Sequence, residues 1–177
     1  MLYKDGDVQI VPVDVFNPVT GPLLPMVAMR IRQFAEANFA GVLPPPRAAR
    51  VGAIVAHRLV SQQALGAPNI LIGAFITPDG RLIGHLVAVV QEEYGERWVF
   101  VTQCKLDEPA GDAVSRGIEL VKRWGRSNGA DSLFFETKRS DSAWVRAYGF
   151  KTMHHTMWMS LNGDMQDTTV EERVEST

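Results

Sequence analysis

The chain has 177 residues, 46% of them apolar and 21% charged, and a formal net charge of −2 at pH 7. That length fits one domain of ordinary size, with or without a tail, and the mixture excludes disordered, collagen-like and membrane-spanning classes. The near-neutral charge excludes a broadly basic nucleic-acid coat and leaves room for a local basic patch, though nucleic acid is not an expected partner.

A period-two stretch around Val8, Ile10 and Pro12 predicts a short strand, and Asn17-Pro-Val-Thr-Gly-Pro predicts a loop. From Pro25 the positions Met26, Met29, Ile31, Phe34 and Ala37 recur at helical spacing, until Gly41 and Pro44-Pro45-Pro46 stop the helix. A second helix is expected from about Pro46 to Gln63, burying Ala48, Val51, Ile54, Val55 and Leu59. Ile70 to Thr77, Leu82 to Val90 and Trp98 to Leu106 are three β-branched, apolar runs. Pro78-Asp79-Gly80 and the slightly longer Glu93-Tyr-Gly-Glu-Arg connect them, and such short loops require antiparallel pairing.

After Pro109 the period returns to 3.6. Val114, Gly117, Ile118, Val121 and Trp124 share a stripe, and Arg116, Glu119, Lys122, Arg123 and Arg126 face away. Asn128-Gly129 ends this helix and a strand follows from Leu133 to Thr137. Ser140-Asp141 caps a short helix to Tyr148, and Lys151 to Leu161 alternates as a last strand. The segment 162–177 has five acids against Arg173, a net of −4 that leaves 1–161 at +2. Residues 1–161 are therefore expected to form a single domain and 162–177 an acidic C-terminal tail.

The order β-α-α-β-β-β-α-β-α-β, with the antiparallel meander before the clearest helix, resembles the GNAT (Gcn5-related N-acetyltransferase) fold. Leu120-Val-Lys-Arg-Trp-Gly-Arg-Ser-Asn-Gly is similar to the end of that family's long helix. Ala143-Trp-Val-Arg-Ala-Tyr-Gly-Phe is similar to its short helix ending in Gly-Phe. The resemblance implies an α/β (α+β) fold, a mixed and mostly antiparallel sheet with helices on both faces. In style the sequence also resembles the divergent GNAT-like proteins of bacteriophages.

The resemblance further implies an acyl-CoA-dependent N-acetyltransferase, with acetyl-CoA between two strands that splay apart. The acetyl group would rest near Gln103, Cys104 and Lys105. The pyrophosphate would sit on N–H groups at the start of the long helix, where the donors and the positive end of the helix dipole favour an anion. The family's Gln/Arg-x-x-Gly-x-Gly/Ala pattern falls on Pro109 to Val114, making Gly111, Asp112 and Ala113 the candidate phosphate turn, with Asp112 also the expected helix cap. Only Gly111 is a glycine, one place out of register. Lys138, with Arg139, Arg146 and Lys151, is a further candidate for phosphate.

Transfer to an amine needs a proton acceptor, and Glu136, Glu92 and Glu93 are candidates. The plainer reading is that Glu92, Glu93 and Glu96 solvate a hairpin loop. The family's proton-donating tyrosine falls on Val145, and Tyr148 is the phenol nearest to it. His154 and His155 are adjacent on a strand and point to opposite faces, which forbids a simple shared metal site. Cys104 is the only cysteine, which excludes an intramolecular disulfide and suits a reducing compartment. No apolar stretch approaches the roughly 18 residues that a bilayer crossing needs, so a cytoplasmic protein without a membrane partner is expected. The alternative is a catalytically silent GNAT-fold protein in a homo-oligomer or larger protein assembly, such as a bacteriophage virion.

Overall fold

The computed structural model describes residues 4, 6–40, 42–66 and 69–135, all within Met1–Lys138, the first of two units into which the chain divides. The helix and strand expected over 140–161, the boundary after 161 and the acidic tail lie outside the described residues.

Strand β1 (Gln9–Pro12) leads through a loop and a short 3-10 turn to helices α1 (Leu24–Phe39) and α2 (Pro45–Ala64). Strands β2 (Ile70–Ile76), β3 (Leu82–Glu93) and β4 (Glu96–Leu106) follow, then α3 (Ala113–Ser127) and β5 (Ser132–Phe135). The sheet order is β1-β2-β3-β4-β5. Every neighbouring pair is antiparallel except β4 and β5, which are joined through α3 and run parallel. Parallel neighbours need such a crossover, whereas the meander turns in two to five residues.

Alternation along the strands gives the sheet two apolar faces, each covered by helix. Ile70, Ile72, Ala74 and Val87 pack with Val27 and Ile31 of α1 and Ala56 of α2. Leu71, Phe75, Leu86 and Val99 pack with Ala113 and Val121 of α3. Each large side chain fully buried this way contributes about 1.5–3 kcal/mol. The expected mixed, mostly antiparallel sheet with helices on both faces is therefore the observed one.

The helices lie where their periodicity puts them, but their buried faces differ from expectation. In α1 the buried residues are Leu24, Val27, Ile31 and Ala35, while Met26 and Met29 are exposed. In α2 they are Ala48, Gly52 and Ala56, and Ile54 is exposed. The reason is the closeness of the two helices. A Cβ on Gly52 would stand 2.7 Å from the Arg32 carbonyl oxygen, so small residues, not large ones, face the crossing. In α3, likewise, Ala113, Gly117, Val121 and Gly125 form the deepest line, with Leu120 and Trp124 partly buried beside it.

The β3–β4 turn is tighter than expected. The strands continue to Glu93 and from Glu96, leaving Tyr94 and Gly95, both with positive φ, as a two-residue turn of the kind that matches strand twist.

Candidate functional site

The parallel pairing of β4 with β5 covers Trp98–Val101 against Ser132–Phe135. From Thr102 to Leu106, β4 keeps β3 on one side and has no strand on the other among the described residues. β4 carries a bulge at this point. Val87 faces Gln103 and Ala88 faces Val101, so Thr102 is the extra residue. Its hydroxyl donates to the Val87 carbonyl at 3.3 Å. Bulges bend a strand and raise its local twist.

Past the bulge the three expected cofactor residues take different directions. Gln103 is buried, and its Oε1 accepts from His85 Nε2 at 2.9 Å. Cys104 is partly buried against the α3-side core. Lys105 is exposed. Phe34 of α1 meets the His85 ring edge-on, with centroids 5.8 Å apart. Burial is the main cause that pushes His85 down to about pKa 4; the bond to Gln103 opposes it, Arg30 and Lys105 add to it, and Asp107 opposes it. The imidazole is therefore neutral at physiological pH, and its buried Nδ1 has no hydrogen-bond partner among the described residues. Arg30 ties α1 to the end of β4 by an ion pair with Asp107 at 2.5 Å and a bond to the Leu82 carbonyl at 2.8 Å.

Between β4 and α3, Gly111 adopts φ +53°, a conformation that favours glycine. Asp112 occupies the N-cap position but makes no side-chain cap bond, contrary to expectation. Its Oδ1 instead accepts from the Gly6 N–H at 3.0 Å and pairs with Arg116 at 3.0 Å. Arg116 also donates to the carbonyls of Gly6 and Val8. The N-terminal segment is thus laced to the first turn of α3, and the Asp112 charge is met by a cation. The N–H groups of Gly111, Asp112, Val114 and Ser115 have no backbone acceptor among the described residues.

Glu92 lies elsewhere. It forms an exposed ion pair with Arg97 at 2.6 Å beside the hairpin turn. Five residues separate it from Val87, a strand distance of about 17 Å, so the sheet keeps it away from the bulge. Glu136, Lys138 and Tyr148 lie outside the described residues, as do His154 and His155. An open cleft of about 400 Å³ between β1 and α3 is lined by Gln9, Ile10, Arg116, Glu119 and Arg123 and does not include the β4 edge. Among the described residues no three His, Cys, Asp or Glu side chains converge on a metal position, and no helix is long and apolar enough to cross a membrane.

No protein-family model matches the chain, and no curated protein matches it in sequence. Solved structures do. An acetyltransferase from Trypanosoma brucei superposes with a TM-score of 0.58 at 12% identity, covering 88% of this chain and 100% of the other. The aminoglycoside N-acetyltransferase AAC(6')-Iy, in complex with CoA, gives 0.60 at 14% identity, covering 88% and 95%. An aminoglycoside acetyltransferase from an uncultured soil metagenomic sample, in complex with trehalose, gives 0.56 at 14% identity, covering 88% and 98%. The chain has the GNAT fold. In this GNAT fold the residues missed by sequence reasoning are His85 and Arg116. His85 has no neighbouring partner along the chain, and the helical spacing of Arg116 signals only that it faces away from the apolar stripe.

Proposed function

We propose that the chain is an N-acetyltransferase that uses acetyl-CoA. The observation that carries this reading is the β4 edge, which among the described residues has no strand on one side from Thr102 to Leu106, and leads into a helix start where the N–H groups of Gly111, Asp112, Val114 and Ser115 have no backbone acceptor among the described residues. An extended, amide-bearing chain is held by main-chain hydrogen bonds along such an edge, and an anion by such a helix start. The residues fit the cofactor: Thr102 to Lys105 would hold its arm, and Gly111 to Ser115 its phosphates. When bound, acetyl-CoA supplies an activated acetyl thioester.

The protein's own part is to bind and orient. Backbone N–H groups fixed in the sheet stabilise developing negative charge without having to reorganise. Asp112 does not oppose an anion with a free charge, because Arg116 already pairs with it. The Cys104 side chain packs against the α3-side core. Glu136 and Tyr148 remain the proposed proton acceptor and proton donor, and Lys138 a proposed phosphate ligand. The acceptor class is a primary amine, and aminoglycosides head the compounds to screen because two of the similar structures are named for them.

The deciding experiment is calorimetric titration of the protein with acetyl-CoA and with free CoA. Binding in the micromolar range, about −8 kcal/mol, is the expected result. No heat at several temperatures overturns the reading.

A further inference from the structure

We propose that His85 is a positioning residue that sets the register of β4 through Gln103, and so holds the strand edge on which the acetyl-CoA reading rests. A bulge is the point at which a strand can slip, since it already carries one unpaired residue. A slip of one position turns every following side chain to the opposite face. Here that would carry Gln103 toward the apolar α3 side and Cys104 toward α1. Both faces consist mainly of apolar side chains, so hydrophobic burial alone discriminates poorly between the two registers.

The polar pair discriminates well. Gln103 is 6% exposed and His85 1%, and an amide buried there without a partner is costly. Only the observed register gives Gln103 Oε1 its donor, His85 Nε2 at 2.9 Å. The imidazole is itself held. Phe34 packs on it edge-on from α1, and β3 pairs on both sides, with Ala74 of β2 and Lys105 of β4. The charged groups facing the ring are Arg30 from α1, Lys105 from β4 and Asp107 beyond it. The second tie, from the Thr102 hydroxyl to the Val87 carbonyl, fixes the extra residue itself. Together the two bonds pin the bulge in β4.

The test is titration with CoA, paired with thermal unfolding, of four proteins: wild type, His85→Leu, His85→Gln and the double variant His85→Leu/Gln103→Leu. Removing both polar partners restores stability, because nothing buried is left unpaired, yet it leaves the register unkeyed. The double variant should therefore unfold near the wild-type temperature while binding CoA with roughly tenfold or greater loss, as misplacement of a binding edge by about 1 Å brings. His85→Gln, which can still donate to Gln103, should recover most of the affinity. A double variant that is folded and binds CoA as the wild type does overturns the inference and leaves the acetyl-CoA reading standing. A wild type that gives no heat with CoA overturns both.

Discussion

Gly125 of α3 lies so close to Val99 of β4 that a Cβ added to it would stand 2.5 Å from the Val99 Cγ2. Val99 is itself 2% exposed, and its β-branched side chain has little rotamer freedom to yield. Gly125→Ala should therefore force α3 off the sheet although alanine is the better helix former. The expected cost is about 1–3 kcal/mol, a fall in Tm of roughly 2–4 °C per kcal/mol. Thermal unfolding of the variant checks it, and an unchanged or raised Tm would show that the helix can shift without loss.

His85 makes stability depend on acid. Its pKa is lowered from 6.5 to about 4 in the folded protein, so between those values the unfolded chain binds the extra proton. Stability therefore rises with pH through this window: it is fully present above about pH 6.5 and is lost progressively down to about pH 4. The contribution is on the order of 3 kcal/mol. Urea unfolding at a series of pH values should show that slope in the wild type and a weaker one in His85→Gln.

The Glu92–Arg97 pair is exposed on both sides, at 55% and 50%, and such pairs are worth about 0–1 kcal/mol. Glu92→Gln should lower stability by no more than that. It should also leave CoA affinity and any measured turnover unchanged, since the residue stands far along β3 from the bulge. A large loss of turnover would place Glu92 in the chemistry after all.

Tyr94 has φ +55° and is 95% exposed, so it takes a left-handed conformation with little packing in return. Asn-Gly suits a two-residue hairpin turn far better than Tyr-Gly. Tyr94→Asn should stabilise the protein by up to about 1 kcal/mol, read as a higher urea midpoint at unchanged slope. A lower midpoint would mean that the tyrosine ring has a packing role.

Much of this architecture is legible in local spacing. Continuous apolar, β-branched runs mark β2, β3 and β4, whose sheet is covered on both faces, and period 3.6 marks α3, which turns one side to the core. The buried faces of α1 and α2 are not legible by counting large apolar residues. Their crossing is built from Ala48, Gly52 and Ala56, which are buried because they are small. The site is legible only in outline. Nothing in the sequence near Asp112 signals that its partner is the N–H of Gly6, 106 positions away. Nor can His85 be matched to Gln103 from spacing alone, since the pairing depends on a bulge that shifts the count by one. Long-range register and chain closure are properties of the assembled sheet.

The strand order in the sheet repeats the order in the chain, and that has a temporal meaning. Each strand finds its partner already synthesised, so the sheet can grow from one edge without waiting for a later segment. The two faces are not equal in this respect. Helices α1 and α2 precede the meander and can shelter Ile70, Ile72 and Val87 as they emerge. Leu71, Phe75, Leu86 and Val99 stay bare until α3 is made. A nascent or truncated chain ending near Leu106 would thus carry one finished side and one sticky, aggregation-prone side, which the fifteen-residue helix α3 covers once it is made.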